Sequence, residues 1–346
     1  MKKIALLTGL LLLGLSVHAQ DLADLFEKNK LSVVTIYVNE TLNAGTGDPR
    51  TFAASQGLGS GVLIRDNMVL TAAHVVANAD QIMVQFFDGE AVEATVTSLS
   101  RYADVAVITL KKSPAHPQVA VIGNSDEARI GEDIFVIGAP MGLPYSLSSG
   151  IISGKHTETN LSNNGKSLEF FQTDASINTG NSGGPMFNFK GEVIGIVSSI
   201  LTRSGGFEGI GFAATSNVAS SLLTQRGSKF FGIEAMVLSP EMAHILNLPQ
   251  ESGWLVQHVV RKSPADLAGL KGGYRMVIFE DEEILLGGDI ILQVDGITIT
   301  GEESIFRIWE YLNGVQSTVT HQIKVLRAGK ILDIRWVSSD IERPAQ

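Results

Sequence analysis

The chain has 346 residues, of which 44% are hydrophobic, so it is long enough for two or three domains with ordinary cores. It contains no cysteine, which excludes both a disulfide framework and a thiolate metal site. The formal net charge of −10 argues against nucleic acid or an anionic membrane surface as the main partner.

Residues 1–19 have the pattern of a secretory signal peptide. A basic head at Lys2 and Lys3 is followed by an apolar run from Ile4 to Val17, and small residues precede Gln20. The run is shorter than the roughly 20 residues that span a membrane, so we expect the leader to be cleaved. Cleavage removes two lysines and no acids, which shifts the net charge from −10 to −12. Retention of the leader as a membrane anchor is the alternative.

Short apolar runs separated by turn residues dominate the next part of the chain. After an amphipathic segment from Asp21 to Lys30, the sequence predicts a strand over Ser32–Val38 and a polar loop over 39–56. Further strands are predicted at Ile82–Phe87, Ala91–Leu99, Val105–Leu110 and Ile134–Gly138. Recurring short strands indicate an all-β barrel or sandwich. A helix over Ser216–Gln225 is predicted to close this part.

Three side chains form a candidate catalytic set. His74 follows the sequence Leu-Thr-Ala-Ala after a strand-like run, and Asp104 precedes the apolar residues of another strand. Ser182 lies in the turn Asn-Thr-Gly-Asn-Ser-Gly-Gly-Pro over 178–185. Taken alone, such a turn is common in β proteins, and a lone histidine is more often structural than catalytic. The glycines beside Ser182 nevertheless allow a sharp turn that brings backbone N–H groups close to a reacting carbonyl, as acyl transfer requires.

Together, the three motifs resemble those of trypsin-like serine proteases. Their chain order is histidine, aspartate, serine, which is the order in chymotrypsin and differs from that in subtilisins and α/β-hydrolases. Three further stretches resemble the HtrA/Deg family, namely Gly57–Gly61, Gly138–Leu143 and Gly209–Ala213. The resemblance covers nearly the whole chain after the leader. It implies a mainly β protein in which a chymotrypsin-like double β-barrel is followed by a PDZ domain.

The resemblance also implies a role for each candidate site residue. Ser182 attacks the scissile carbonyl, His74 carries the serine proton to the leaving amine, and Asp104 orients the imidazole. The main-chain N–H groups of Gly180 and Ser182 form the oxyanion hole. No cofactor and no metal are expected, because the sequence has neither a zinc-protease histidine motif nor a phosphate-binding loop.

Specificity and activation are also expected to follow this family. Ile177 and Leu201 are near the expected primary specificity pocket and are uncharged, which predicts a preference for small or medium apolar side chains. Asn181 stands where digestive proteases of this fold have an aspartate that pairs with a newly cut N-terminus. An amide cannot form that ion pair, so the resemblance implies activation by loop rearrangement on peptide or substrate binding.

The C-terminal third resembles a single PDZ domain. The residues that resemble its carboxylate-binding loop are Phe230, Phe231, Gly232 and Ile233. A buried hydrophobic strand explains these four equally well, but the family's patterns continue over 263–270 and 288–296 and favour the PDZ interpretation. Such a domain holds C-terminal peptides through loop N–H groups and by strand addition at a sheet edge.

An insertion from Lys271 to Leu286 departs from the usual short connection of a PDZ domain. Its acidic run, Glu280 to Glu283, is open to interpretation as a metal site or as a solvated loop. The run lacks the spaced ligands of a calcium loop, which favours a solvated acidic loop. After it, a capping box at Thr300–Glu303 and apolar residues at helical spacing predict a helix.

The predicted organisation is a signal peptide at 1–19, a protease domain at 20–226, a PDZ domain at 230–338 and a polar tail at 339–346. The predicted function is an exported, ATP-independent serine endopeptidase that cleaves unfolded or signalling proteins in envelope quality control and is regulated by PDZ peptide binding. A chaperone or peptide-binding module with minor proteolytic activity is the alternative. The expected location is the periplasm, or the inner membrane if the leader is retained. The family also implies a homotrimer, with Leu25 and Phe26 as candidate interface residues.

Overall fold

The structure, a computed structural model, describes residues 21–159, 167–200, 207–224, 231–279, 282–315 and 319–337. The predicted leader and polar tail lie outside these ranges, as do Leu201 and Phe230. Among the helices within these ranges, none is long and apolar enough to cross a membrane.

The first barrel follows helix α1 (Leu22–Asn29), which begins where the Asp21 side chain accepts a hydrogen bond from the N–H of Ala23. Its strands are β1 (Val33–Asn43), β2 (Phe52–Arg65), β3 (Met68–Thr71), β4 (Gln81–Gln85), β5 (Ala91–Ser100) and β6 (Val105–Leu110). They close in the order β1-β2-β3-β6-β5-β4, and the one-turn helix α2 (Ala73–Val76) follows β3. Buried residues alternate with exposed or half-buried ones along β5, as expected for a barrel strand.

The end of β1 and the start of β2 extend as a two-stranded ribbon. The prediction of a loop over 39–56 is therefore wrong for its flanks, since Asn43 pairs with Phe52 and the antiparallel register is unbroken back to the barrel. Most side chains of the ribbon are exposed or half-buried. A strand that does not bury one face has no reason to alternate apolar and polar residues, so its sequence looks like a loop.

The second barrel contains the turn with Ser182. Its elements are β7 (Val121–Ile122), β8 (Asp133–Gly138), β9 (Ser146–Thr159), β10 (Ser167–Thr173), β11 (Pro185–Asn188), β12 (Glu192–Ile200), β13 (Gly211–Thr215) and helix α3 (Ser216–Thr224). Six strands follow the order β11-β8-β9-β10-β13-β12, and the pairing of β12 with β11 closes the barrel. The predicted double β-barrel and its closing helix are thus confirmed.

One buried cluster contains residues of both barrels and of helix α1. Leu70 and Val107 from the first barrel pack there with Phe135 and Phe187 from the second. Leu25 belongs to this cluster and is only 1% exposed, so its prediction as an interface residue is wrong. The periodicity of α1 correctly identified an apolar face, but that face packs on the chain's own core. Phe26 is partly buried against the same cluster.

Residues 231–337, here called the C-terminal unit, form a separate sheet with two cores of their own. Its elements are β14 (Ile233–Val237), α4 (Pro240–Ile245), β15 (Trp254–Val259), α5 (Pro264–Leu267), β16 (Arg275–Phe279), β17 (Glu282–Leu286), β18 (Ile290–Val294), β19 (Ile297–Thr298), α6 (Glu302–Gly314), β20 (Thr320–Arg327) and β21 (Lys330–Val337). The main sheet has the order β14-β15-β18-β20-β21. The predicted helix is α6, which packs Ile305, Ile308 and Leu312 into the larger core.

The predicted acidic loop is partly strand. Glu282 and Glu283 belong to β17, which pairs with β16 as a hairpin. Ile284 on β17 is 2% exposed and packs in the smaller core, so this strand is part of the fold, whereas the tip at 280–281 lies outside the described residues. The hairpin also pairs with the loop at the end of the β1–β2 ribbon. The N–H of Met276 donates to the Gly45 carbonyl at 3.0 Å, and the N–H of Gly47 donates to the Tyr274 carbonyl at 3.0 Å.

Candidate active site

His74 and Asp104 meet at one end of the first barrel. His74 lies on α2, and Asp104 lies in the turn between β5 and β6 with φ of +49°, an uncommon conformation for a residue with a side chain. His74 Nδ1 is 2.8 Å from Asp104 Oδ2, and the main-chain N–H of His74 donates to Oδ1 at 3.0 Å. With Nδ1–H donating to the carboxylate, Nε2 is the ring atom that can accept a proton.

Ser198 on β12 supplies a further donor to the same carboxylate. Its Oγ donates to Asp104 Oδ2 at 2.5 Å. Burial raises the pKa of Asp104, but the hydrogen bonds from His74 and Ser198 outweigh burial and hold the pKa below its ordinary value. The carboxyl group is therefore ionised at neutral pH and can stabilise an imidazolium. Ser198 carries no motif that marks it as functional, because it appears in the sequence only as a serine in an apolar run.

Ser198 also forms a hydrogen bond with Ser182. The Ser182 Oγ donates to the main-chain carbonyl of Ser198 at 3.3 Å. Within the described residues, no hydrogen bond joins Ser182 to His74 in this arrangement. The Ser182 hydroxyl is therefore paired with the Ser198 carbonyl and not with the imidazole.

Glycines make the turn around Ser182 possible. Gly180 has φ of +103° and Gly183 has φ of +83°, which side chains rarely allow. A Cβ at Gly180 would lie 2.1 Å from the Ala139 carbonyl oxygen, and one at Gly183 would lie 2.2 Å from Thr71 Oγ1. Both positions combine a glycine conformation with contacts that leave no space for a methyl group.

The predicted oxyanion donors have their directions set by neighbouring hydrogen bonds. The Thr179 carbonyl accepts from the N–H of Met141, and the Asn181 carbonyl accepts from the N–H of Gly184, each at 2.8 Å. The N–H and C=O of a trans peptide point in opposite directions. The N–H groups of Gly180 and Ser182 therefore point away from these partners, and no hydrogen bond to either is found in the described part of the chain.

The predicted specificity pocket is not open at Ile177. This side chain is 2% exposed and packs in the core of the second barrel with Phe171 and Ala213. A Cβ at Gly211 would lie 2.6 Å from Ile177 Cδ1, so the two residues are in close contact. Ile177 is a core residue in this structure.

The predicted carboxylate-binding loop begins the sheet of the C-terminal unit. Phe231 is buried with its ring centroid 4.4 Å from that of Trp336, and Gly232 has φ of +83°. Ile233 starts β14, which is an edge strand because its described pairing is with β15 alone.

No group of three or more potential ligands that could hold a metal ion is found among the described side chains.

Comparison with known proteins identifies the family. Residues 59–196 match the trypsin-like peptidase domain family. A probable periplasmic serine endoprotease, DegP-like, of Hahella chejuensis is 36% identical over 76% of this chain and 57% of its own length. A protein of the same description from Ectopseudomonas mendocina is 38% identical over 70% of this chain and 52% of its own length. The chain carries a trypsin-like peptidase domain of the HtrA type.

Solved structures show the same HtrA-type architecture. The HtrA-type protease AlgW with a decapeptide has a TM-score of 0.50 and 28% identity, over 93% of this chain and 99% of that one. A variant of AlgW with a decapeptide has a TM-score of 0.52 and 27% identity, over 93% and 98% of the two chains. The chain spans about half the length of the first two curated relatives.

Proposed function

We propose that the chain is an exported serine endopeptidase that cleaves unfolded or signalling proteins without ATP. The observation that carries the proposal is the hydrogen-bonded cluster around Ser198, which joins the carboxylate of Asp104 to the ring of His74 and to the hydroxyl of Ser182. A nucleophile, a base and an acid that orients the base are the parts that acyl transfer requires.

In the proposed reaction, Ser182 Oγ forms a bond to the scissile carbonyl carbon as His74 Nε2 takes the hydroxyl proton. The N–H groups of Gly180 and Ser182 stabilise the negative oxygen of the tetrahedral intermediate. The intermediate then loses the amine, whose nitrogen takes the proton from His74, and water releases the acyl group by the same steps. Asp104 stays ionised throughout and stabilises the charged imidazole.

The C-terminal unit is proposed to be a PDZ domain that binds C-terminal peptides and regulates cleavage. Solved structures of AlgW contain a decapeptide or a tripeptide. In this chain the free edge of β14 provides main-chain groups for an added strand. Regulation is consistent with the position of the Ser182 hydroxyl, which donates to the Ser198 carbonyl and has no hydrogen bond to His74 among the described residues.

The remaining organisation follows the relatives. Their description as periplasmic supports export to the periplasm with cleavage of residues 1–19. The proposed boundaries are 20–226 for the protease domain and 230–338 for the PDZ domain. Assembly as a homotrimer is proposed from the family, and Phe26 is retained as a candidate interface residue because it is only partly buried.

Two measurements test the function. A fluorophosphonate probe should label the wild type and should not label Ser182→Ala, since it reacts only with an activated serine. Denatured casein should then be degraded by the wild type, and faster when peptides with a free apolar C-terminus are present. Labelling of both proteins or of neither would overturn the proposed enzyme, and retained binding of casein without cleavage would favour the chaperone alternative.

A further inference from the structure

Ser60 on β2 makes four hydrogen bonds at the junction between the two barrels and is fully buried. Its Oγ accepts from the N–H of Ala139 at 2.9 Å and donates to the Gly180 carbonyl at 2.7 Å. Its main-chain N–H donates to the Ser182 carbonyl at 2.8 Å. Its own carbonyl accepts from Thr71 Oγ1 at 2.7 Å. Ser60 therefore connects the first barrel to both sides of the proposed oxyanion hole.

The direction of the hydroxyl bond is fixed by its neighbours. A main-chain N–H can only donate, so Ala139 uses an acceptor site of Ser60 Oγ and leaves the O–H for the Gly180 carbonyl. That bond fixes the peptide unit between residues 180 and 181, whose N–H donates on the other side to the Asn178 carbonyl at 2.9 Å. The bond from the Ser60 N–H to the Ser182 carbonyl fixes the unit between residues 182 and 183.

Gly180 makes such a restraint necessary. It has φ of +103° and no Cβ, so the peptide units on both of its sides can rotate at low cost. The Met141 N–H holds the unit before Gly180 through the Thr179 carbonyl, at 2.8 Å. Ser60 holds the unit after it. Loss of either restraint lets the loop leave the conformation in which both proposed oxyanion donors face the substrate.

The site also accounts for the residue type. A Cβ at Gly138 would lie 3.1 Å from Ser60 Oγ, and one at Gly184 would lie 3.2 Å from Ser60 Cβ, so the loop packs closely around this side chain. Serine is the smallest residue that carries a hydroxyl. We propose that Ser60 is a positioning residue of the active site, whose hydroxyl holds the Gly180 peptide in the conformation that the oxyanion hole requires. This proposal rests on the proposed serine endopeptidase activity.

Ser60→Ala tests the proposal, with Ser216→Ala as a matched control. Ser216 is also buried, and its Oγ donates to the Gly123 carbonyl at 2.7 Å, so the control loses a comparable hydrogen bond in the same domain. On a fluorogenic peptide we expect Ser60→Ala to lower kcat about 10- to 100-fold, less than the roughly 100- to 1,000-fold loss for removal of an oxyanion donor, with KM nearly unchanged. The control should keep wild-type kcat.

A second readout separates positioning from general destabilisation. A peptide boronic acid forms a tetrahedral adduct with Ser182 and places an oxygen in the hole. Its affinity should fall in Ser60→Ala by about the same factor as kcat, while the melting temperatures of Ser60→Ala and Ser216→Ala should fall by similar amounts. A wild-type kcat in Ser60→Ala, or an equal loss in both variants, would overturn the proposal.

Two further outcomes are distinguishable. If Ser60→Ala shows no cooperative melting, Ser60→Cys is measured in the same way, because a thiol is a weaker donor. A partial loss of kcat in Ser60→Cys supports the proposal, and a wild-type kcat contradicts it. A wild type that never reacts with the fluorophosphonate probe would instead refute the proposed function, and with it any positioning role.

Discussion

Ser198 contacts Asp104 through its side chain and Ser182 through its backbone, so the two contacts can be tested separately. Ser198→Ala keeps the carbonyl that accepts from Ser182 and removes the hydroxyl that donates to Asp104. Hydrogen bonds to charged groups contribute about 1.5–3 kcal/mol, so we expect kcat to fall about 10-fold or more. Ser198→Thr, which keeps the hydroxyl, is the control and should retain most of the activity.

The same variant should change the pH dependence of activity. The pKa of Asp104 is lowered in the folded protein, so the ionised carboxylate contributes stability that is present above its ordinary pKa and lost as the pH falls through the lowered value. Removal of the Ser198 hydroxyl raises that pKa, and the loss should begin at a higher pH. Activity and melting temperature between pH 3 and 7 measure the shift, and superimposable acid limbs for wild type and Ser198→Ala would contradict this account.

Substitution of Gly89 and Gly183 by alanine distinguishes two destabilising effects of a side chain at positive φ: backbone strain and steric overlap with neighbouring atoms. Gly89 has φ of +89° with nothing within 4 Å of an added Cβ, so Gly89→Ala should cost only the conformational strain, about 1 kcal/mol. Gly183→Ala adds contacts at 2.2 Å with Thr71 Oγ1 and at 2.3 Å with the Ser60 carbonyl, and we expect a loss of at least about 3 kcal/mol. Urea unfolding measures both, and equal losses would show that the packing around Gly183 is loose.

The sequence singled out His74, Asp104 and Ser182 as candidates because the three local patterns together resemble those of trypsin-like serine proteases. Ser198 and Ser60 carry no such pattern. Their roles depend on partners 94 and 120 positions away in the chain, Asp104 and Gly180 respectively. A buried serine hydroxyl on an apolar strand is visible in the sequence, but the atom that it meets depends on how the two barrels pack.

At the scale of elements, the barrel strands were predictable, and the β1–β2 ribbon and the hairpin β16–β17 were not. Barrel strands bury one face, so apolar and polar residues alternate along them, and this alternation is visible in the sequence. The β1–β2 ribbon buries few of its side chains, and in the hairpin β16–β17 only β17 has a buried residue, Ile284. Their sequences therefore looked like loops. The ribbon and the hairpin also support each other, since the loop after β1 pairs with β16 through Gly45 and Met276. Neither partner indicates this pairing by itself.

Proline substitutions can test that pairing. The N–H of Met276 donates to the Gly45 carbonyl, so Met276→Pro removes one bond between the hairpin and the ribbon. Ile278→Pro is the matched control. Alternate residues of a strand point their N–H groups to the same side, so Ile278 also points its N–H away from β17, and its side chain is 73% exposed. A net hydrogen bond contributes about 1 kcal/mol, so exchange of the Gly47 amide should be about 5-fold faster in Met276→Pro. Equal exchange in both variants would show that the contact does not persist in solution.

At the scale of the whole molecule, polar and charged groups line the contact between the first barrel and the C-terminal unit. Asn78 Nδ2 donates to Glu234 Oε2 at 2.6 Å, and the Asn78 side-chain oxygen accepts from Arg101 at 3.0 Å. The main-chain N–H of Arg261 donates to Asp80 at 2.8 Å. Glu234 lies 156 positions from Asn78, and Arg261 lies 181 positions from Asp80. No local pattern in the sequence could therefore show how the first barrel and the C-terminal unit meet.

His258 lies within this contact and makes it sensitive to pH. Burial lowers the pKa of His258, and the contributions of Asp80 and Glu234, which raise it, are smaller. The positive charge of Arg101 also lowers this pKa. When the first barrel and the C-terminal unit are docked against each other, His258 therefore binds fewer protons than when the two separate and its ring is exposed to water. Docking is favoured above the ordinary histidine pKa of 6.5 and weakens as the pH falls below it.

Glu40, on the barrel side of the contact, acts in the opposite direction at lower pH. Burial raises the pKa of Glu40, with smaller contributions from Glu234 and Asp80, so docking takes up a proton there at pH values near and above 4.5. Between pH 7.5 and 6 the histidine effect should dominate. Small-angle scattering should then show a larger radius of gyration at pH 6 than at pH 7.5 for the wild type. His258→Gln cannot gain the proton and should show no change, and an equal expansion in this variant would place the pH-sensitive group elsewhere.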